Sequence, residues 1–214
     1  PSACAKLTGT RDKLSYGLLL AEDTGENSFS RDDDPVGKSS IAVARMQYLA
    51  GGENFLGFLY SGRSHADGDN QAAAMDGLWR SNGHTIRFTG IGTLDGDAEE
   101  GKTRDGAAGT FYYGYSSRSL NTSVSLESFS PHFRMDAAFC NRTGFHRAQA
   151  GLYPHFYPSF ARLPWLKQAN LSINGSVLHD LATSLDDRSI CLGGGADFAR
   201  QGYVWLSAWT SGEG

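Results

Sequence analysis

The sequence predicts an all-β protein: an up-and-down antiparallel transmembrane β-barrel of about 12–14 strands, or a fragment of a larger barrel. Strand-like runs of about ten residues follow one another, and the connections between them alternate between short and long. Within the runs apolar and polar residues alternate, as they do in a strand whose two faces meet different surroundings. Aromatic residues gather near the ends of the runs, which is typical of the interfacial girdles of a barrel.

The connections set the order of the elements. Short turns are predicted at 10–12, 50–53, 81–83 and 118–121, and longer loops at 23–38, 63–69 and 94–105. Thirteen strands are predicted at 3–9, 13–22, 39–49, 54–62, 70–80, 84–93, 107–118, 121–129, 133–141, 145–156, 165–178, 187–197 and 203–210. Single-chain bacterial barrels close with an even number of strands, so the count is off by one or strands lie outside this chain. No linker divides the chain, and a single domain over 1–214 is predicted.

The faces of the strands give the period of two directly. Leu56, Phe58 and Tyr60 share one face of a strand. Leu171, Ile173 and Val177 oppose a polar set in another strand: Asn170, Ser172, Asn174 and Ser176. A soluble sandwich would alternate in the same way. The polar faces hold Arg, Asp, Asn and Ser with few lysines, and this favours a confined lumen in which arginine pairs with carboxylates.

The aromatic residues near strand ends include both tyrosines and tryptophans. They are Tyr48, Tyr60, Trp79, Tyr112, Tyr113, Tyr115, Phe156, Tyr157, Trp165, Tyr203, Trp205 and Trp209. A ring with one wet end and one apolar end suits the membrane interface, which is the basis of the girdle prediction. Rings that fill a soluble core and its rim are the alternative.

Composition excludes several classes. The chain has 214 residues, 40% of them hydrophobic, and no apolar run long enough for a membrane helix. A net charge of −4 without a basic stripe argues against nucleic acid as a partner. Cys4, Cys140 and Cys191 are far apart, and no metal or cofactor motif is present, so no cofactor and no metal are predicted. Acidic residues cluster at 22–34 and 95–105, where solvated loops are favoured over divalent-cation sites.

Several short motifs resemble a known family. Lys6–Gly9 with Ser15–Ala21 resembles the opening of a bacterial barrel domain of unknown function, and Ala42–Arg45 resembles its next strand. Gly57–Arg63, Asn70–Gln71 and Asp76–Arg80 are similar to a hairpin motif of that family, and Phe133–Gly144 is similar to its "dFRadvGFvpRtG" segment. The resemblance extends to about Tyr153. Ala138 and Cys140 depart from the family pattern without threatening the fold.

The resemblance implies a location and an architecture. The family is an outer-membrane β-barrel domain that usually follows a carbohydrate-binding module similar to family nine. That module is absent from this sequence, so sugar recognition is not carried over to any residue here. The family has no established catalytic residues. The chain begins Pro1-Ser2-Ala3 without a methionine, so either a leader was removed or the chain is a piece of a longer protein, and the second interpretation is favoured.

The candidate binding residues are polar and predicted to face the lumen. They are Arg45, Asn70, Asp76, Arg80, Arg87, Glu127, Arg134, Asp136, Arg142 and Arg147. Salt bridges that hold the barrel in shape are one interpretation, and a charged constriction that selects small polar or anionic solutes is the other. Gln47 belongs to the same face.

A hydrolase is a further alternative, with His179-Asp180 near Ser176 and Asn174, but no G-x-S-x-G elbow is present. The sequence therefore predicts a non-enzymatic bacterial outer-membrane protein, either a passive pore or the anchor of a sugar-binding module. The expected partners are membrane lipid and lipopolysaccharide, small polar or saccharide solutes, and further strands or partner chains that would complete the barrel. A soluble β-sandwich or jelly-roll binding module is the alternative from another class.

Overall fold

A computed structural model describes residues 2–23, 38–65, 68–97, 101–135, 142–159 and 161–214. Twelve strands make up the regular structure of these residues. They are β1 Ala3–Arg11, β2 Leu14–Asp23, β3 Ser39–Gly51, β4 Asn54–His65, β5 Gly68–Ser81, β6 His84–Asp97, β7 Lys102–Ser116, β8 Leu120–Phe129, β9 Phe145–Phe156, β10 Leu166–Asp180, β11 Asp186–Phe198 and β12 Tyr203–Glu213. None of the described residues belongs to a helix that is long and apolar enough to cross a membrane.

The order of the strands in the sheet is their order in the sequence, β1 to β12. Neighbours pair antiparallel, for example Leu7 with Leu18 and Phe58 with Met75. The predicted all-β, up-and-down antiparallel fold is therefore confirmed, and the number of strands falls within the predicted range. β1 and β12 are the first and last strands of this order, and each has one neighbour among the described strands.

One predicted strand is wrong as far as the structure describes it. The prediction placed a strand at 133–141, but 133–135 have no regular structure, and 136–141 lie outside the described residues. Ser130 and Phe133 instead form a turn, in which the amide of Phe133 donates to the carbonyl of Ser130 at 3.2 Å. The strand was predicted from the alternation of apolar and polar residues along this run. The ring of Phe133 instead packs edge-on against Phe129, with 5.5 Å between the ring centroids.

The alternation of the connections is confirmed only in part. The long connection after β2 spans 24–38, most of which lies outside the described residues. The loop predicted at 63–69 is wrong, because β4 runs to His65 and β5 starts at Gly68. The loop predicted at 94–105 is also mostly strand, because β6 runs to Asp97 and β7 starts at Lys102. The acidic residues at 95–105 suggested a loop, although Asp95, Asp97 and Asp105 lie in strands.

The tight turn between β5 and β6 has a clear local cause. Asn82 and Gly83 both have positive φ, 50° and 83°. Two consecutive residues with positive φ form the hairpin turn whose twist matches the flanking strands, and Asn-Gly is its preferred sequence. Gly83 also accepts a hydrogen bond from the amide of Ser116 at 2.9 Å, at the end of β7.

The chain forms two compact units. Unit 1 comprises 1–78, 88–109 and 129–144, and unit 2 comprises 79–87, 110–128 and 145–214. In unit 1, the pairings of β1 to β5 bring apolar side chains into rows on one face: Leu18 beside Ala44, and Met46 beside Phe58. Phe58 and Met46 are among the most exposed large apolar side chains of the unit, at 53% and 51%.

The opposite face of the same strands in unit 1 is more enclosed. Ser61 is 5% exposed, Asn70 is 4% exposed and Ala72 is 3% exposed. A water-soluble sheet places its apolar face inside and its polar face outside. In unit 1 large apolar side chains such as Phe58 and Met46 are exposed, whereas polar side chains such as Ser61 and Asn70 are enclosed, which is the reverse of that arrangement.

Unit 2 repeats this arrangement in β9 to β12. Ile173 lies beside Leu152 on one side and Leu192 on the other, and Gly194 lies beside Leu206. Ile173 is 37% exposed, Leu192 is 50% exposed, and Ser172 on the other face is only 7% exposed. The faces predicted from the alternation along this strand are therefore confirmed.

Candidate functional site

The face opposite the exposed apolar rows, here called the polar face, holds most of the predicted site residues. In unit 1, Arg45 of β3 donates to Asp76 of β5 through both ends of its guanidinium, Nη1 to Oδ1 at 2.5 Å and Nη2 to Oδ2 at 2.8 Å. The two side chains are 35% and 22% exposed. A bidentate guanidinium–carboxylate pair is among the strongest charge-assisted hydrogen bonds.

Gly57 of β4 makes this ion pair possible. Gly57 pairs with Gln47 of β3 on one side and with Asp76 of β5 on the other, so it lies between these two strands. A Cβ at Gly57 would lie 2.5 Å from Arg45 Nη2 and 2.7 Å from Asp76 Oδ1. The absence of a side chain therefore lets the ion pair pass over β4.

A second cluster in unit 1 joins three elements. Asn70 of β5 donates from its amide nitrogen to Asp95 Oδ1 of β6 and to the backbone carbonyl of Arg134, both at 3.2 Å. Arg134 in turn donates to Asp95 Oδ2 at 3.3 Å. Asp95 therefore satisfies a buried amide and a guanidinium together, although the sequence placed it in an acidic loop.

Two predicted residues stand apart from this cluster. Asp136 lies outside the described residues. Arg142 is exposed and does not belong to a strand, so its predicted position on a strand face is wrong. Both were predicted from the strand at 133–141, and the prediction for Arg142 fails with that strand.

In unit 2 the charged residues pair within the polar face. Arg147 of β9 donates to Glu127 of β8 at 3.3 Å, with the two side chains 36% and 34% exposed. The guanidinium of Arg87 lies over the ring of Tyr112, 5.9 Å from its centroid. Arg80 shares the parity of Asp76 along β5 and is exposed.

Between these charged residues, the polar face of unit 2 is lined by hydroxyl and amide groups. Ser125 Oγ donates to Gln149 Oε1 at 3.3 Å, and the hydroxyls of Ser176 and Ser189 lie 2.7 Å apart. Tyr153 donates its hydroxyl to Asn174 Oδ1. These groups border a cavity of about 420 Å³ that the tyrosines Tyr112 and Tyr153 also line.

Aromatic rings on this face lie over glycines. A Cβ at Gly151 would lie 2.8 Å from Cε2 of Tyr153, and one at Gly114 would lie 3.0 Å from Cε1 of Tyr112. The ring of Trp205 spans two glycines, since a Cβ at Gly193 would lie 2.8 Å from its Cζ2 and one at Gly195 would lie 2.6 Å from its Cε3. Covering strand glycines with aromatic rings shields the exposed backbone.

The prediction of an interfacial aromatic girdle is wrong for two of these rings. The sequence assigned Tyr112 and Trp205 to an interfacial belt, but the structure places both on the polar face of unit 2. Gly193 and Gly195 lie within β11, and both accommodate the ring of Trp205.

The residues considered for a hydrolase do not form a triad. Ser176 and His179 lie on opposite faces of β10, because they are separated by an odd number of positions. Ser176 contacts Ser189, whereas His179 Nδ1 lies 2.7 Å from Asp186 Oδ1. The other carboxylate oxygen of Asp186, Oδ2, accepts a hydrogen bond from Arg188 at 2.8 Å. Asp180 instead accepts from the amides of Ala182 and Thr183, both at 2.9 Å.

The potential metal ligands and the cysteines are dispersed in the described part of the chain. Those residues contain no group of three or more His, Cys, Asp or Glu side chains that could hold a metal ion. Cys4 is an exposed free cysteine and Cys191 is a partly exposed one. Cys140 lies outside the described residues.

Comparisons with known proteins give limited similarity. No protein-family model and no curated protein matches the chain. Among solved structures, the chain is similar to OccK8 (OprE) of Pseudomonas aeruginosa, with 10% identity and a TM-score of 0.42 over 97% of this chain and 66% of that chain. It is also similar to OccK11 (OpdR) of Pseudomonas aeruginosa, with 12% identity and a TM-score of 0.43 over 96% of this chain and 69% of that chain. At this level of similarity the two matches assign no function to the chain. A function has to be argued from the residues on the chain's own surfaces.

Proposed function

We propose that this chain supplies membrane-spanning strands of a bacterial outer-membrane barrel through which small polar solutes pass passively. The observation that carries this proposal is the reversed arrangement of the two faces. Large apolar side chains such as Phe58 and Ile190 are 53% and 54% exposed, whereas Asn70 and Ser172 on the polar face are 4% and 7% exposed. Hydrocarbon tails are the solvent that suits the first set of side chains.

The extent of the apolar face argues against the soluble alternative. In unit 1, Leu18, Leu56 and Met75 are 39%, 39% and 43% exposed. Met75 lies in the same register row as Met46 and Phe58, and Leu18 and Leu56 lie in the rows on either side of it on the same face. Soluble monomers rarely expose contiguous apolar patches larger than a few hundred Å². A soluble sandwich would need a second layer of protein over this face.

The polar face fits the lining of a water-filled passage. Several of its charges neutralise one another, as Arg45 and Asp76 do in unit 1 and Arg147 and Glu127 do in unit 2. Rings of charged and hydrogen-bonding side chains select solutes in pores by their charge and polarity. Paired charges leave little net field, which favours small polar solutes over highly charged ones.

The edges of the strand order require partners in a bilayer. An unpaired strand edge in hydrocarbon leaves amide and carbonyl groups unsatisfied, at several kcal/mol for each group. We infer that the free edges of β1 and β12 are satisfied by strand pairing in the assembled barrel, with further strands or partner chains as the source where this chain does not supply them. The family resemblance, contact with lipopolysaccharide and the role of anchor for a sugar-binding module stay predictions.

The experiment is to purify the full protein with and without detergent and to reconstitute it into planar bilayers. We expect a folded, monodisperse protein only in detergent, and discrete conductance steps after reconstitution. A monodisperse protein with a cooperative unfolding transition in detergent-free buffer would overturn the membrane assignment. A folded, detergent-dependent protein that never conducts would overturn the pore and leave a membrane anchor.

A further inference from the structure

The cavity on the polar face of unit 2 has a lining that differs from the rest of that face. Besides two tyrosines, Ala150 and the thiol of Cys191, its side chains are hydroxyls and amides, namely those of Ser123, Ser125, Gln149, Asn174, Ser176 and Ser189. The ion pair of Glu127 and Arg147 lies beside it, with its charges mutually neutralised. A cavity of about 420 Å³ is within the usual range for small-ligand sites.

The hydrogen-bonding capacity of this lining exceeds what its internal contacts use. Each amide carries two donor hydrogens and an acceptor oxygen, and each hydroxyl is both donor and acceptor. Asn174 accepts from Tyr153, and Gln149 accepts from Ser125, so both known contacts engage the amide oxygens and not the amide nitrogens. Donors and acceptors are therefore interleaved, which suits a ligand whose own groups are hydroxyls.

The aromatic rings add flat apolar surfaces to this lining. Tyr153 lies over Gly151, and Tyr112 lies over Gly114, so each ring rests on bare backbone. Tyr112 is 36% exposed, and Trp205, which rests on Gly193 and Gly195 further along the same face, is 49% exposed. A ring that is packed on backbone and still this exposed offers its remaining surface to a ligand.

We propose that this cavity is a binding subsite for an uncharged polyhydroxylated solute, that is, a neutral sugar. A sugar ring presents hydroxyls around its rim and C–H groups on its faces. The hydroxyls match the interleaved amides and serines, and the C–H faces match the rings of Tyr112 and Tyr153. The scarcity of unpaired charge in the lining disfavours a carboxylate of similar size. This inference rests on the proposed function, because it names the class of solute that the passage would take.

The test measures binding separately from conductance. Maltotriose and maltotrionate, its carboxylate of similar size, are titrated by calorimetry into the full protein, folded in detergent micelles. We expect maltotriose to bind with a dissociation constant in the millimolar range, about −4 kcal/mol, as befits an open site, and maltotrionate to bind at least roughly tenfold more weakly. Equal affinity for the two probes, or no maltotriose binding up to 100-fold above the expected range, would overturn the subsite.

The two alanine variants replace adjacent residues of β7 whose side chains lie on opposite faces of the strand. Tyr112→Ala removes an aromatic surface from the cavity, and Phe111→Ala removes a similar ring, 40% exposed, from the apolar face. We expect Tyr112→Ala to weaken maltotriose binding at least roughly fivefold, about 1 kcal/mol of stacking, while Phe111→Ala leaves it unchanged and Tyr112→Phe retains most of it. Equal losses in the two alanine variants would overturn the assignment of the cavity.

The two proposals fail in distinguishable ways. A protein that conducts in bilayers but binds no maltotriose in micelles keeps the pore and loses the subsite. A protein that binds maltotriose but never conducts keeps the subsite and loses the pore.

Discussion

Arg45 and Asp76 form a two-bond ion pair between strands that are not neighbours, and the pair passes over Gly57 of the strand between them. The contact therefore joins β3, β4 and β5 on the polar face of unit 1, in addition to their backbone pairing. An ion pair of this kind fixes the register of three strands, because a slip of one residue would turn either side chain to the opposite face.

The first prediction concerns the space over Gly57. Gly57→Ala places a methyl group against Arg45 Nη2 and Asp76 Oδ1, so at least one of the two hydrogen bonds must lengthen. We expect a loss of about 1–2 kcal/mol in the free energy of unfolding, measured by urea titration in micelles. Gly90→Ala is the matched control, because a Cβ at Gly90 meets nothing within 4 Å. Equal stability of the two variants would show that the ion pair does not depend on this glycine.

The second prediction separates the two faces in a bilayer. Met46 and Gln47 are adjacent in β3, similar in size and on opposite faces, with Met46 51% exposed. Met46→Arg should cost about 2–4 kcal/mol of folding stability in lipid vesicles if the residue lies near the middle of the bilayer, because the charge meets hydrocarbon. Gln47→Arg should cost much less. In a water-soluble protein Met46→Arg would be tolerated at least as well as Gln47→Arg, which is the contrary result.

The third prediction concerns the charge of the passage in unit 2. Glu127 and Arg147 neutralise each other at 3.3 Å. Glu127→Gln leaves the arginine unbalanced and should favour anions, whereas Arg147→Gln leaves the glutamate unbalanced and should favour cations. For partly exposed charges the shift in permeability ratio should be roughly two- to fivefold, corresponding to up to about 1 kcal/mol. Reversal potentials in a salt gradient measure it, and shifts of the same sign in both variants would contradict the expectation.

The fourth prediction concerns the buried amide of unit 1. Asn70 is 4% exposed and bridges Asp95 to the backbone of Arg134. Asn70→Ala removes both hydrogen bonds and leaves their acceptors partly buried, so we expect a loss of about 1–3 kcal/mol in unfolding free energy. Gln71→Ala is the control, since Gln71 is exposed on the other face of β5. A loss in Gln71→Ala as large as in Asn70→Ala would show that the bridge adds no stability.

The fifth prediction concerns the turn between β5 and β6. Gly83 has a φ of 83°, and a Cβ there would collide with the backbone oxygen of Ser116. Gly83→Ala should cost about 1–2 kcal/mol, because an L side chain is disfavoured at positive φ. Gly92→Ala is expected to be close to neutral, since a Cβ at Gly92 meets nothing within 4 Å. Thermal unfolding in micelles compares the two, and equal midpoints would contradict the strain argument.

The faces of the strands could be predicted from the sequence because the period of two is a local property. Leu56, Phe58 and Tyr60 share a face whatever the strand packs against, and the same is true of Leu171 and Ile173. The Asn-Gly turn at 82–83 is also local, because its positive φ values follow from the residue types. These predictions needed no knowledge of the partner strands.

The extents of the strands and the partners of the charges could not be predicted in the same way. Asp95 was placed in a loop because acidic residues favour solvent, yet it lies in β6, where Asn70 and Arg134 both donate to it. That compensation comes from residues 25 and 39 positions away in the sequence. Trp205 likewise lies on the polar face because Gly193 and Gly195 of the neighbouring strand leave room for it. Hydrophobicity alone would place such a ring towards lipid.

The strict succession of the strands has an evolutionary consequence. Each inner strand pairs with the strands that precede and follow it in the sequence, so the gain or loss of a hairpin changes only the pairings at its own position and leaves the other neighbours as they are. A gain or loss of two strands also keeps every later turn on its original side of the sheet. Homologues of this protein are therefore expected to differ in length by whole hairpins, with their remaining segments still aligned residue by residue.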